Sequence, residues 1–468
     1  MRWFLILSLF FSISSLNAQQ KYLLDWHEVG EESIGHLVDL IQIKSINPPG
    51  NETEVTDYLS DIFESEGISY KIYALEKSRA SIVARIKGNG NKKPILIMGH
   101  TDVVDVQEDR WFDDPFSGLR QNGFIYGRGS LDDKDNVTAG LMVLKLLKRF
   151  NIKLERDIIF LAESGEEGTP EVGINFLIEK HFEAIDAEYC LAEGGQSIIE
   201  DGKVVTVGIA TAEKMPRRVT LVARGTPGHG SRPTLENAVV ILANAVAKTG
   251  NWDTDVRLNE TTRAYFQRMA EISPEEDAFR YKNIENPEEA QKVQKYFLEN
   301  FPYHYSISRT SVVPTVIDAG IRRNVIPSEA SAILDIRMLP DENLDEFYEK
   351  LKKIIDDPRV EIIPEKIYRP AAPPSKIDNE MFQTLERVAK NMNPYANILP
   401  IMITAASDMA QVRAKGMHCY GIGPSRTVEE INSGYGAHGD NERVSEQAFV
   451  EMVKFIWNTV IEMAAEKN

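Results

Sequence analysis

From Lys21 to Ala212 short apolar runs alternate with longer amphipathic ones, the spacing that a layered α/β domain requires. Apolar recurrence at three and four residues predicts helices over 31–43, 54–66 and 136–150, and the shorter runs predict strands over 81–86, 94–98, 156–162 and 188–192. Ile95-Leu96-Ile97-Met98 and Ile158-Ile159-Phe160-Leu161 are apolar without alternation, which suits central strands covered on both faces. A second region starts near Glu213. Its order of strand 218–224, helix 236–248, strand 330–338 and helix 344–355 predicts a smaller sheet with helices on one side. Between its halves, residues 251–305 are charged, carry helical signals and read as an insertion. The run Tyr368-Arg369-Pro370-Ala371-Ala372-Pro373-Pro374 reads as a linker, after which the α/β pattern resumes through Asn468.

Length agrees with this division, because 468 residues exceed what one hydrophobic core usually organises. The expected layout is a signal segment over 1–18, a catalytic domain over 19–212 and 370–468, and an inserted domain over 213–369. The signal segment is read from Met1-Arg2, the apolar run Trp3 to Ile13 and a small residue at Ala18, and it predicts a secreted or periplasmic protein. No later stretch is apolar enough over a sufficient length to cross a bilayer. A formal charge of -18, from 71 acidic and 53 basic residues, argues against partners that need basic surfaces: nucleic acid and anionic membranes. Cys190 and Cys419 lie in apolar, strand-like runs and read as buried thiols, although export would permit them to pair.

Position then selects the chemistry. Ligands of open α/β sheets bind at the carboxyl ends of strands, so the polar residues that follow apolar runs matter most. One strand runs into Gly99-His100-Thr101-Asp102, a second into Glu163-Ser164-Gly165-Glu166-Glu167-Gly168, and a third into Glu193-Gly194-Gly195. Asp132 and Asp133 follow the loop Gly127-Arg128-Gly129-Ser130-Leu131, and Ala437-His438-Gly439-Asp440 follows another glycine-rich loop. Singly, each has a plain structural explanation: a histidine after a strand, acids at a helix N-terminus, a solvated turn. Together, two histidines and three carboxylates match the nitrogen and oxygen preference of zinc, and a shared carboxylate permits two metal ions. A spare carboxylate, Glu166 or Glu163, is then needed to move the proton of the attacking water.

On these residues the chain resembles the dinuclear-zinc metallopeptidases that include aminoacylase, carboxypeptidase G, carboxypeptidase S, carnosinase and succinyl-diaminopimelate desuccinylase. The most specific stretch is 99–134: Gly99-His100-Thr101-Asp102-Val103-Val104, Trp111 with Asp114-Pro115-Phe116, and Gly127 through Lys134 fall in that family's order and spacing. The resemblance implies a zinc-exopeptidase-like α/β fold, with a mostly parallel central sheet flanked by helices and interrupted by a smaller α+β lid and dimerisation domain. It implies two zinc ions, with cobalt or manganese as substitutes, held by His100, Asp132 as the bridge, Glu167, Glu193 and His438. Glu166 takes the place of the general base, Asp102 that of the carboxylate orienting His100, and a cis peptide is implied after Asp132. In the lid, Gly225-Thr226-Pro227-Gly228-His229-Gly230-Ser231 resembles the segment whose histidine reaches a partner subunit's site in dimeric members. Asn324 and Arg337 match positions that contact a substrate carboxylate, a task to which the planar guanidinium is suited.

The implied activity is hydrolysis of an amide next to a free carboxylate, in a dipeptide, a peptide C-terminus or an N-acyl amino acid, by a homodimer. A different class, a silent binding or dimerisation protein that keeps the fold, would be expected to lack the base or a ligand. A serine hydrolase lacks its Gly-x-Ser-x-Gly elbow, and a single-zinc protease its His-Glu-x-x-His helix. The chain departs from the family at Ala192-Glu193-Gly194, where an aspartate usually precedes the glutamate, and in the insertion 251–305, which enlarges the lid.

Overall fold

A computed structural model describes residues 24–466, and the signal segment expected over 1–18 lies outside them. The described residues form two compact units, one of residues 24–211, 375–399 and 407–466, the other of 212–374 and 400–406.

The first unit is built on a mixed sheet of ten strands. In spatial order these are Ser69–Ala74, Ala80–Ile86, Ile158–Glu163, Ile95–His100, Tyr189–Ala192, His418–Gly421, Lys203–Glu213, Gln196–Glu200 and Ser425–Thr427, with Asn397–Ile403 beside Lys203–Glu213. The four central strands, from Ile158–Glu163 to His418–Gly421, run parallel. Ile95–His100 and Ile158–Glu163 are buried at every position, as their unbroken apolar runs require. On one face lie the helices Trp26–Gln42, Glu52–Glu66, Lys134–Arg149, Glu380–Met392 and Glu446–Ala464, and on the other Ile174–Lys180 and Met409–Ala414. The first helix begins at Trp26, five residues before the expected start, because the Asp25 carboxylate accepts the His27 N–H at 2.9 Å and caps it. Gly30, which weakens the helical signal, is where Val450 packs at 3.2 Å from any added Cβ.

A charged network ties three of these helices together. Lys145, almost fully buried, donates to Glu32 at 2.6 Å and lies 2.6 Å from His36 Nε2, while Arg149 grips Glu32 and Glu66. Burial pushes the Glu32 carboxyl up, but Arg149 and Lys145 outweigh it and bring its pKa down to about 2. Burial, then Lys145, brings His36 down to about 4. Both shifts make the unfolded chain bind more protons in acid. Stability contributed by His36 therefore falls as pH drops from about 6.5 to 4, and that from Glu32 as pH drops from about 4.5 to 2. Urea unfolding of wild type and Glu32→Gln should converge toward pH 2, from a gap on the order of 2–3 kcal/mol at pH 6. A gap that does not change with pH would refute this.

The second unit holds a four-stranded antiparallel sheet, Ser311–Ala319, Glu329–Met338, Met215–Arg224 and Val360–Pro364 in spatial order. The helices Ala238–Gly250 and Leu344–Ile355 cover one face. Residues 251–305 form the helices Glu260–Ile272, Glu275–Lys282 and Ala290–Asn300 and most of Pro302–Ile307. Their rings Tyr265, Phe266, Tyr281, Phe297 and Phe301 surround the buried His304. Among the described residues no helix is long and apolar enough to cross a membrane.

Candidate metal centre

The carboxyl edge of the parallel strands gathers the residues singled out in the sequence. His100 ends its strand, and its Nε2 lies 2.9 Å from Asp132 Oδ1. His438 Nε2 lies 3.1 Å from the other Asp132 oxygen and 2.7 Å from Glu167 Oε1. Two groups of three donors result, His100–Asp132–Glu193 and Asp132–Glu167–His438, each with ligand atoms within 4.8 Å of one another. Asp132 belongs to both. Glu166 joins His100 and Glu167 within the same distance, so it stands beside the donors of both groups.

Local backbone explains why these side chains converge. Gly99 precedes His100 because a Cβ there would meet the Asp133 carboxylate at 2.8 Å. The Asp132–Asp133 peptide is cis. Asp133, fully buried, accepts the His100 N–H at 3.2 Å and the Asn136 amide at 2.6 Å. His438 has a left-handed backbone, φ 62°, a conformation that costs a residue with a Cβ about 1–2 kcal/mol. The next residue must be glycine, since a Cβ on Gly439 would lie 2.0 Å from the Gly434 carbonyl.

Asp102, expected as the partner of the His100 ring, has further work beside that ring. His100 Nδ1 is 2.9 Å from the Asp102 main-chain carbonyl and 3.6 Å from its carboxylate. The carboxylate also accepts the N–H groups of Gly165, Glu166 and Glu167 at 2.9, 3.1 and 3.0 Å and the Asn47 amide at 2.7 Å. It thereby fixes the turn that carries Glu166 and Glu167. Burial alone would raise its pKa, but His100, Asn47 and the Glu167 N–H together hold it below the ordinary range.

Three supporting residues had no assigned role in the sequence. Asn47 lies in Asn47-Pro48-Pro49-Gly50, which signals a turn without naming its partner. Glu442 is buried, accepts from Arg128 at 2.5 Å and from the Leu131 N–H at 2.8 Å, and so joins the Asp132 loop to the loop bearing His438. Lys134 donates to the carbonyls of Leu40 and Ile43 at 2.8 and 2.7 Å, capping the first helix.

Electrostatics mark this as a cation site. Burial opposes charge on His100, yet Asp102 and Asp132 raise its pKa well above normal. Asp132 and Glu167 raise His438 to about 10. Burial and the neighbouring carboxylates Asp133, Asp132 and Glu166 push Glu193 well up. Crowded acids that draw protons onto both imidazoles are a donor set for divalent cations, whose charge reverses that pKa logic. The chemistry of the donors, imidazole nitrogen with carboxylate oxygen, fits a pair of such ions.

In the second unit His229 and Asn324 come together. His229 pairs with Val325, Gly230 N donates to Asn324 O at 2.8 Å, and the His229 ring contacts Ser231 Oγ at 2.7 Å. Arg337 lies in the four-stranded sheet, near the end of Glu329–Met338 that is farther along the chain from Asn324, opposite Pro216 and Ser311, with Nε and Nη2 on Asp335 at 2.7 and 3.1 Å. Ala330 to Arg337 alone spans roughly 23 Å at ~3.3 Å per residue. One small carboxylate therefore does not meet both Asn324 and Arg337 of the same chain.

Two three-donor groups hinged on one aspartate, at the carboxyl edge of a mostly parallel sheet, define a dinuclear metallohydrolase centre. The sequence profile of peptidase family M20/M25/M40 matches residues 96–462, and the chain belongs to that family of metal-dependent hydrolases of amide bonds. Among similar proteins is the N-fatty-acyl-amino acid synthase/hydrolase PM20D1 of Homo sapiens, 31% identical over 378 residues, covering 79% of this chain and 74% of that protein. A probable carboxypeptidase S-like 2 of Dictyostelium discoideum is 28% identical over 391 residues, 81% of this chain and 74% of its own. In fold, the M20 family metallo-carboxypeptidase Sso-CP2 from Sulfolobus solfataricus matches with a TM-score of 0.71 at 21% identity, over 92% of this chain and 98% of that one.

Proposed function

We propose that the protein is an exported, two-zinc hydrolase of N-acyl amino acids in the broad sense, an amide whose amine side carries a free carboxylate. That description covers both a peptide C-terminus and an acyl amino acid, in keeping with one relative named for N-fatty-acyl-amino acids and another named as a probable carboxypeptidase S-like protein. The observation that carries the reading is the pair of three-donor groups sharing Asp132, with Glu166 beside them. Two zinc ions, when bound, polarise the scissile carbonyl and make a water acidic near neutral pH. Glu166, held by its N–H on Asp102, accepts the proton of the attacking water and delivers it to the departing amine nitrogen.

Arg337 takes the substrate carboxylate through the guanidinium edge that Asp335 leaves, as bidentate recognition requires. His229 stabilises the developing oxyanion and Asn324 contacts substrate from a second copy of the chain, since both belong to the short ladder before Glu329, at the opposite end of Glu329–Met338 from Arg337. A homodimer is supported by the edge strand Ser311–Ala319, whose Val313, Val316 and Ile317 are each at least half exposed.

The test compares each N-acyl amino acid with the matching N-acyl amine that lacks the carboxylate. Wild type should strongly prefer the acid, and Arg337→Met should raise KM for the acid by roughly 10- to 100-fold, the worth of a charge-assisted hydrogen bond. Equal turnover of acid and amine by wild type would refute the carboxylate assignment.

A further inference from the structure

Two cysteines occur in the whole chain. Cys190 lies in Tyr189–Ala192 and Cys419 in His418–Gly421, adjacent parallel strands whose register makes the two direct partners. Their side chains leave the same face of the sheet, into one apolar cluster with Leu96, Met409, Val412 and Met417. Both are fully buried free thiols, and Cys419 Sγ lies 3.9 Å from the carbonyls of Met409 and Met417. Neighbouring strands lie ≈ 4.8 Å apart, inside the roughly 4.4–6.8 Å Cα separation that a disulfide spans.

We infer that Cys190 and Cys419 are a cross-strand redox pair that closes to a disulfide when the chain folds in the presence of a small-molecule disulfide, and that the finished fold shields both sulfurs. In the first step one cysteine thiolate attacks the small disulfide, forming a mixed disulfide and releasing one small thiol. In the second, the other cysteine displaces the remaining small thiol and the Cys190–Cys419 bond forms. The protein loses two hydrogens, and the small disulfide is reduced to two thiols. Access sets the order of events. A thiol with no exposed surface meets neither oxidant nor base, and burial further pushes the Cys190 thiol well up, so little thiolate exists once the sheet has closed.

The position gives the bond a consequence for the metal centre. Glu193 follows Cys190 by three residues. Gly421, two residues past Cys419, packs so closely that a Cβ there would lie 2.2 Å from the Glu193 carbonyl. The cross-link would therefore join the two strands that set the Glu193 backbone, one from each side of a long stretch of chain.

The experiment refolds the wild-type full chain from guanidinium chloride in a glutathione and glutathione-disulfide buffer, and in parallel with reductant. Each product is alkylated in denaturant, weighed intact and digested. The oxidised product should have lost two hydrogens, take up no alkyl group, and yield one peptide joining Cys190 to Cys419. It should also unfold at a higher guanidinium concentration than the reduced product, the difference vanishing when reductant is added in denaturant. The reduced product, once folded, should take up no alkyl group until denaturant exposes both thiols. Native oxidised-buffer protein with two alkylatable thiols overturns the pairing, and rapid alkylation of the folded reduced chain overturns the shielding. Cys190→Ala adds a second arm: with its partner gone, Cys419 refolded in the same buffer should be found as a free thiol or a glutathione adduct, never as an internal cross-link.

Discussion

Replacing Glu166 by Gln should lower kcat by about 10²- to 10⁴-fold, while metal content, KM and thermal stability change little. The side chain is 7% exposed and its backbone N–H is anchored on Asp102. Glutamine keeps the volume and the anchor but cannot accept and pass on a proton, so the loss falls on turnover. Glu163 is the competing carboxylate in the same segment. It is the last residue of its strand, 1% exposed, and burial followed by the charge on Asp408 pushes its pKa well up. Burial thus favours the protonated form of this carboxyl and makes it a poorer base, so Glu163→Gln should retain far more activity than Glu166→Gln. Metal analysis beside the kinetics separates the explanations. If Glu166→Gln were inactive and also lacked metal, the residue would be a ligand, and if it kept wild-type turnover the proton would pass through another group.

How far the centre could be read from sequence depends on what each residue needed from its neighbours. His100, Glu166 and Glu193 are legible because they end or closely follow buried apolar runs, and a strand end is a local property of the chain. Asp102 was picked out, but its principal partners are the N–H groups of 165–167, more than sixty positions away, and no local pattern names them. Glu442 and Asn47 escaped for the same reason: their work is to join loops distant in sequence. In the lid, the strands near 218–224 and 330–338 were visible, but the edge strand Ser311–Ala319 was not. Pro314 interrupts it, and at an edge with a bulge between Pro314 and Val316 a missing N–H is tolerated. The length of the strand Glu329–Met338 is also what separates Arg337 from Asn324, a distance that residue identity alone does not encode.

Asp132→Asn should abolish tight binding of both metal ions, whereas His438→Ala should lose one and keep the other. Each Asp132 oxygen approaches a different histidine, Oδ1 toward His100 at 2.9 Å and Oδ2 toward His438 at 3.1 Å. Asparagine keeps one oxygen and turns the other donor into an NH₂ that cannot ligate a cation, so one group loses a ligand outright and the other loses its charge. His438 belongs only to the group with Asp132 and Glu167, and its loss leaves His100, Asp132 and Glu193 intact. Stability should report the same difference. Zinc at about a hundredfold excess over its dissociation constant adds ~2.7 kcal/mol per site, so wild type should gain roughly twice that, His438→Ala about half the wild-type gain, and Asp132→Asn almost none. Without metal the charge on Asp132 still matters. His100 and His438 outweigh burial and hold its carboxyl below the ordinary range, so the ionised form is favoured in the folded chain, and metal-free Asp132→Asn should be less stable than metal-free wild type near neutral pH. Calorimetry with and without zinc, paired with metal counting, reads both effects. An Asp132→Asn protein that still binds two ions tightly would remove the shared aspartate from the centre, and with it the case for two coupled sites.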